Sequence, residues 1–248
     1  MKAVILAGGY GKRLKPYTEN VPKPLLSVAG RSILEWQIRW LKHYGFEEIV
    51  ICAGYLKEKI VSEIGSGAKY GVRVGYVVED EPLGTGGAVK NAEHVLKNDE
   101  SFLLINGDIL TDLDPNELLK DLEKDCLGVI ALVQLPSPYG VVKFDDRNHR
   151  VLSFIEKPKL MDYWINAGVY VFRNEAFNYI PKRGDLEKTA LPKLAEEGKL
   201  KAHLFNRAFW MSIDSHKDLE EALDDVKAGR TISLAEAYNC LLYTSDAA

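Results

Sequence analysis

Three glycines, Gly8, Gly9 and Gly11, follow directly on the apolar run 3–7, and two cations, Arg13 and Lys23, come soon after. Residues without a Cβ let backbone N–H groups approach a phosphate closely, and fixed positive charge just beyond them suits a polyanion. A glycine loop at the carboxyl end of a first strand, followed by two cations, reads as a nucleotide site.

Counting excludes the two commonest loops of this kind. A P-loop needs glycine five residues before the Gly of Gly-Lys-Ser/Thr, but Leu6 stands five before Gly11, and Arg13 occupies the place of Ser or Thr. The dinucleotide fingerprint needs a third glycine where Leu14 stands, and the second strand ends Ile51-Cys52-Ala53-Gly54 without a ribose-binding acid.

The elements that must position this loop alternate strand and helix. After strand 3–7, Ser32 caps a helix whose apolar positions Ile33, Leu34, Ile38 and Leu41 recur at helical spacing, and Gly45 ends it. Strand 49–53, helix 56–64, strand 72–78, a helix over about 87–97, strand 102–106, helix 115–125 and strand 129–135 follow. Such alternation implies a largely parallel sheet with helices on both faces. Beyond Gly140 the pattern changes: strands 141–144 and 151–155 flank the polar turn Asp145-Asp146-Arg147-Asn148, a hairpin signal, and strand 165–172 follows. Helices around 174–180 and 186–197, strand 201–205 and helix 215–227 complete a second half expected on the same sheet. The expected organisation is one domain, 1–229, with a nucleotide-binding half 1–138 and a second half 139–229. Segment 230–248 is a tail of uncertain origin whose last nine residues resemble adapter read-through, and it is expected to add little to the fold.

Bulk properties fit an ordinary globular α/β chain: 248 residues, 46% hydrophobic, 27% charged. A net charge of −4 offers no broad basic footprint for nucleic acid. Cys52, Cys126 and Cys240 form no Cys-x-x-Cys pair, and the five histidines show no His-Glu-x-x-His spacing. No apolar run approaches the ~20 residues of a membrane span, and the chain starts straight into a strand, so a cytoplasmic location is the expectation.

The stretch Leu6-Ala-Gly-Gly-Tyr-Gly-Lys-Arg-Leu-Lys-Pro-Tyr-Thr18 with Pro22-Lys-Pro-Leu25 resembles the signature of the sugar-phosphate nucleotidylyltransferases. Blocks at 82–88, 106–108, 139–144, 154–158, 165–170 and 209–214 follow in that family's order, so the resemblance covers about 1–229. It implies an α/β, Rossmann-like three-layer sandwich with a mostly parallel mixed sheet, the nucleotide-diphospho-sugar transferase fold. The implied reaction moves a nucleotidyl group from a nucleoside triphosphate to a sugar 1-phosphate and releases pyrophosphate. Two anions must then be neutralised and held in line, work that suits Mg²⁺ and fixed cations better than a nucleophilic side chain.

By the same resemblance, Leu6, Ala7, Gly8, Gly9, Gly11, Arg13, Lys23, Glu79, Pro82, Gly84 and Thr85 bind the nucleotide, and Gly140, Glu156, Lys157, Asn166 and Gly168 bind the sugar phosphate. Arg13, Lys23 and Asp108 are the catalytic candidates, whereas Lys12 and Lys15 are expected to be solvated. Asp108 is also the first metal-ligand candidate, because it follows strand 102–106 at its carboxyl end, where open α/β sheets bind ligands. The second departs from the commoner Trp-x-Asp pattern: Ser212 stands at the usual acid and Asp214 two places later, on the same side of a strand. Capping of helix 215–227 is the competing role for Asp214.

Glu79, three before Pro82, replaces the base-reading Gln of thymidine- and uridine-using relatives, and the block from Glu79 to Thr85 resembles the guanylyltransferases. A carboxylate only accepts hydrogen bonds, and guanine N1–H and N2–H₂ are adjacent donors, so GTP is the expected nucleotide. The Trp210 to Asp214 spacing instead resembles the cytidylyltransferase branch. Three alternatives stay open: UTP, CTP or dTTP in the same reaction, a non-sugar acceptor, and a non-catalytic subunit that senses nucleotide-sugar. The expected partners are small molecules, without nucleic acid or membrane, and a homo-oligomer is left open.

Overall fold

The structure, a computed structural model, describes residues 1–229, so the tail 230–248 and Cys240 lie outside the described residues. The strands are β1 (Lys2–Ala7), β2 (Ser27–Val28), β3 (Arg31–Ser32), β4 (Glu48–Ala53), β5 (Arg73–Val78), β6 (Ser101–Asn106), β7 (Ile109–Thr111), β8 (Gly128–Pro136), β9 (Val141–Phe144), β10 (Val151–Ile155), β11 (Lys159–Arg173), β12 (Leu200–Phe205) and β13 (Trp210–Ser212). The helices are α1 (Ile33–His43), α2 (Lys57–Ile64), α3 (Gly84–Asn91), α4 (Glu93–Leu96), α5 (Pro115–Lys120), α6 (Ala190–Glu196) and α7 (His216–Lys227).

Seven strands form one sheet in the order β12-β8-β11-β6-β1-β4-β5. β11 alone runs antiparallel to its neighbours β6 and β8, and the remaining pairings are parallel. Side chains alternate between the two faces: Ala3, Ile5, Leu103 and Ile105 join one core with α1, α2, α5 and α7, while Val4, Phe102 and Leu104 join another with α3, α4 and α6. Strands apolar on both faces are what a sheet between two helical layers demands. No helix among the described residues is long and apolar enough to cross a membrane.

Several expected boundaries move. The helix expected over 87–97 starts at Gly84, where Gly86 and Gly87 donate backbone N–H to Gly184 O at 2.9 and 3.2 Å, and it is divided at Ala92 into α3 and α4. A Cβ on either glycine would press within 3.0 Å of the neighbouring loop, so the glycines serve packing and not helix breaking. The helix expected over 115–125 stops at Lys120, since Arg173 binds the Leu122 carbonyl at 3.1 Å and draws the chain off the helical path. Strand 165–172 extends back to Lys159 along β8. The helix expected at 174–180 is a 3₁₀ turn, Asn174–Asn178, and that at 186–197 is a 3₁₀ turn, Leu186–Lys188, followed by α6.

Two short ladders went unread in the sequence. β7 pairs antiparallel with β13, Ser212 opposite Ile109, and β2 pairs with β3. Gln37, buried in α1, donates from Nε2 to the carbonyls of Asn106 (2.8 Å) and Ile109 (2.9 Å), clamping the turn between β6 and β7. Leucine at this position would leave both carbonyls without their donor. Gln37→Leu is therefore expected to lower the unfolding free energy by about 2 kcal/mol, and an unchanged urea midpoint would show that the clamp carries no stability.

Candidate active site

The carboxyl ends of β1 and β6 open into a cavity of about 400 Å³. It is lined by Leu6, Ala7, Gly8, Gly9, Gly11, Arg13, Lys23, Glu79, Pro82, Gly84 and Thr85, all eleven residues expected to hold nucleotide, and by Asp108 and Asp214. Gly11 adopts φ 59°, and a Cβ there would come within 2.9 Å of Thr18 and 3.1 Å of Lys23. The loop is therefore folded tightly onto the Lys23 segment, fastened by Thr18 Oγ1 donating to Gly11 O at 2.9 Å. Gly107, not among the expected site residues, is equally constrained: its N–H donates to Leu6 O at 2.9 Å, and a Cβ would fall 2.2 Å from that oxygen.

Charge is concentrated at one cluster. Lys23 Nζ donates to Asp108 Oδ2 at 2.6 Å and to Asp214 Oδ1 at 2.9 Å, with only 12% of its side chain exposed. Arg13 reaches the same Asp214 oxygen at 2.7 Å but is 76% exposed, and Ser212 Oγ donates to Asp214 Oδ2 at 2.9 Å. Burial opposes ionisation of Asp214, but the Lys23 hydrogen bond and charge, the Ser212 hydroxyl and the Arg13 charge outweigh it and hold the carboxyl below its ordinary range. Helix capping is not the role of Asp214: Ser215 and Asp218 form the capping box of α7, and the Asp214 side chain turns to the cluster. The short β7–β13 ladder, continued by Ile213 N to Asp108 O at 2.9 Å, brings the two carboxylates together. β13 ends at Ser212, so Ser212 and Asp214 meet through a hydrogen bond and not by sharing a strand face.

Glu79 does not point to solvent. Its carboxylate packs on Gly8 and Gly54, where a Cβ would come within 2.4 and 2.8 Å of Oε1. Burial raises its pKa, the Leu83 backbone N–H pulling partly the other way, and Oε2 is buried with no hydrogen-bond partner among the described residues. Lys12 is exposed, 5.6 Å over the Tyr10 ring, yet it also edges the cavity, contrary to the expectation of a purely solvated side chain; Lys15 is exposed and lies outside it.

The five expected sugar-phosphate residues do not line this cavity. Gly140 lies under Phe154 and Glu156, while Glu156 and Lys157 are exposed and the Lys157 side chain lies beside Lys217. Asn166 accepts from Gly168 N at 2.8 Å and donates to Tyr170 OH at 2.6 Å. Gly168, at φ 69°, packs on Asn106, which does line the cavity, so this pair borders the site at second remove. These residues sit on β11 and at the feet of the β9–β10 hairpin. Asp185, Asn106, Gly107, Tyr10 and Pro24 line the cavity without having been expected. Asn106 and Gly107 stood beside Asp108 in the recognised block and could have been read with it; nothing local marks Asp185, which arrives only because its loop packs on α3.

Residues 2–229 match the model of the family described as nucleotidyl transferase. The chain belongs to the nucleotidyl transferase family. Within that family it is 39% identical over 228 residues to a mannose-1-phosphate guanyltransferase of Saccharomyces cerevisiae and 36% identical over 225 residues to mannose-1-phosphate guanyltransferase beta-B of Xenopus laevis, each alignment covering 88% of this chain. The chain spans about 62% of the length of these relatives. Among solved structures it resembles HddC from Yersinia pseudotuberculosis, at 29% identity and TM-score 0.73 over 91% of this chain and 99% of that one. It also resembles a putative glucose-1-phosphate thymidylyltransferase from Bacillus anthracis, at 26% identity and TM-score 0.72 over 90% and 94%. HddC has been solved with GMP-PN bound.

Glu79 gives the chain a pH signature. A carboxyl whose folded pKa is raised contributes stability that is fully present below its unfolded value, 4.5, and lost as pH rises through the folded value. Glu79→Gln removes the buried charge, so without ligand it is expected to melt higher than wild type at pH 7–8, with the gap closing toward pH 4. A gap constant across that range in thermal melts would contradict the burial of Glu79.

Proposed function

We propose that the chain transfers a guanylyl group from GTP to a sugar 1-phosphate, giving a GDP-sugar and pyrophosphate. The observation that carries the choice of GTP is the unpartnered Glu79 Oε2 in the cavity wall, an acceptor waiting for a donor edge. Guanine offers N1–H and N2–H₂ side by side, whereas uracil and thymine would set a carbonyl against it. The two guanyltransferase relatives support the same nucleotide.

In this reading Gly8, Gly9 and Gly11 receive the triphosphate on backbone N–H groups, and Arg13, largely exposed and so free to swing, stabilises the charge of the departing pyrophosphate. Lys23 faces the α-phosphate from its fixed position between two prolines. An oxygen of the sugar phosphate attacks the α-phosphorus as the bond to pyrophosphate breaks, and no covalent intermediate on the protein is required. Glu156 accepts hydrogen bonds from sugar hydroxyls and Lys157 neutralises the sugar phosphate, with Gly140, Asn166 and Gly168 shaping that side. Their separation from the cavity is consistent with a second subsite for a second substrate.

The donor set of the charged cluster fits Mg²⁺, a hard cation commonly held by one or two carboxylates together with substrate phosphates. Asp108 and Asp214 already converge on one positive charge, the Lys23 ammonium, and would be its protein ligands. When bound, the ion would neutralise phosphate charge.

Pyrophosphate release from GTP, UTP, CTP and dTTP, each crossed with a panel of sugar 1-phosphates and phosphorylated alcohols, tests the proposal. GTP with a sugar 1-phosphate should give the highest kcat/KM, and Glu79→Gln should erode the GTP preference. A wild type that favours UTP, CTP or dTTP, or a preference for GTP untouched by Glu79→Gln, rejects Glu79 as the base reader. Loss of a charge at the reacting centre typically costs ~100-fold or more, so Asp108→Asn and Asp214→Asn should fall at least that far in kcat while Ser212→Ala stays close to wild type. Arg13→Ala should raise KM mainly for nucleotide and Lys157→Ala mainly for sugar phosphate; equal shifts in both constants would contradict two subsites.

A further inference from the structure

Among the described residues that line the cavity, Tyr10 alone carries an aromatic ring, and it is 44% exposed. Its backbone belongs to the glycine loop, between Gly9 and Gly11. The ring turns back toward the end of β4, where its centroid lies 5.1 Å from that of Tyr55. Tyr55 is a fixed backing. Its hydroxyl lies 3.1 and 3.0 Å from the carbonyls of Thr18 and Glu19 and donates between them, and its N–H donates to Gly8 O at 3.3 Å. Leu56, next in the chain, takes φ 50°, a left-handed conformation that non-glycine residues adopt only when their surroundings enforce it. The same stretch holds Glu79, whose N–H donates to Ala53 O at 2.9 Å and whose carboxylate packs on Gly8 and Gly54. Gly54 precedes Tyr55 and Gly8 is bonded to it, so the Tyr10–Tyr55 pair and the Glu79 carboxylate border one corner of the cavity.

Resting on the reading that this cavity takes a nucleoside triphosphate, we propose that Tyr10 is the stacking platform for the nucleobase. The base is then held by its face on Tyr10 and read by its edge at Glu79. Every nucleobase has a π-face, and a ring already fixed by a neighbour loses little freedom when a base settles on it. The position suits both ends of the nucleotide, since the backbone on either side of Tyr10 belongs to the phosphate loop while its ring reaches back to the Glu79 corner. Lys12, an exposed and flexible neighbour, holds its ammonium 5.6 Å over the Tyr10 ring, a contact that is weak in water. The base takes the place of that ammonium, which is then free for the phosphates over Gly8 to Gly11.

Calorimetric titration of the full chain with GTP, with ITP and with inorganic tripolyphosphate tests this without any turnover. Stacking lost by truncation to alanine corresponds to roughly 5- to 150-fold in affinity. Tyr10→Ala should lose that much for GTP and equally for ITP, which keeps the purine face but lacks the N2 amino group, and should bind tripolyphosphate as wild type does. Tyr10→Phe should bind GTP as wild type does; Tyr10→Leu, which keeps apolar bulk without a π-face, replaces the alanine variant if that one does not fold. Wild-type GTP affinity in Tyr10→Ala overturns the proposal. So does an equal loss for tripolyphosphate, which assigns the ring to the phosphate loop, or a Tyr10→Phe as weak as Tyr10→Ala, which assigns the contact to the hydroxyl. The choice of guanine fails separately: if wild type binds UTP or CTP more tightly than GTP, Glu79 does not read guanine, while a Tyr10→Ala loss for that tighter nucleotide still supports the stack and the lack of one overturns it. A wild type that binds tripolyphosphate as tightly as every nucleotide overturns the stack outright.

Discussion

Two carboxylates brought together in a half-buried site repel each other, and the fold resolves this by placing one ammonium between them. Lys23 lies between Asp108 and Asp214 with little exposure, and it joins its own segment to two others 85 and 191 positions away. Removing one member of such a group leaves the others as uncompensated charge, so the three positions act as a unit. The supports around it follow from that demand. Pro22 and Pro24 hold the Lys23 backbone, Gln37 clamps the turn that carries Asp108, and the β7–β13 ladder carries Asp214 alongside.

The glycine loop is built to the same tolerance. Gly107 approaches Leu6 and Gly11 approaches Lys23 at distances that exclude a side chain, so the loop cannot drift from the charged cluster without losing β1–β6 contacts. Glycine is usually a source of freedom in a chain. At Gly11 and Gly107 it is the condition for close packing. Glu79 completes the cavity from just beyond the end of β5, held by packing on Gly8 and Gly54 instead of by a cation.

The parts legible in the sequence were those whose geometry is local. Residues 6–13, 22–25 and 79–85 are short contiguous segments; the glycine loop and the proline-bracketed lysine could be read from residue types, and the resemblance carried by these segments implied the rest of the cavity lining. The alternation of apolar strands and helices likewise conveyed the parallel sheet, whose cores are set by alternating side chains on each strand. Features set by distant contacts were not legible. α3 begins at Gly84 because its glycines bind a carbonyl a hundred residues away, and Asp185 joins the cavity through that same contact. β7 and β13 are three residues each and gain their strand character only from pairing, so no periodicity announced them. Lys157 and Glu156 could be recognised from their block, but their place outside the cavity lining depends on how a hairpin leaves the sheet.

The central claim is that one cavity holds GTP with its base at Glu79 and its phosphates at the Lys23 cluster. A crystal structure of the chain with Mg²⁺ and GTP tests it most directly. The account predicts guanine N1–H and N2–H₂ within hydrogen-bond distance of the Glu79 carboxylate and the triphosphate over Gly8 to Gly11 beside Lys23 and Asp108. A guanine ring away from Glu79, or phosphates bound outside the glycine loop, would contradict it.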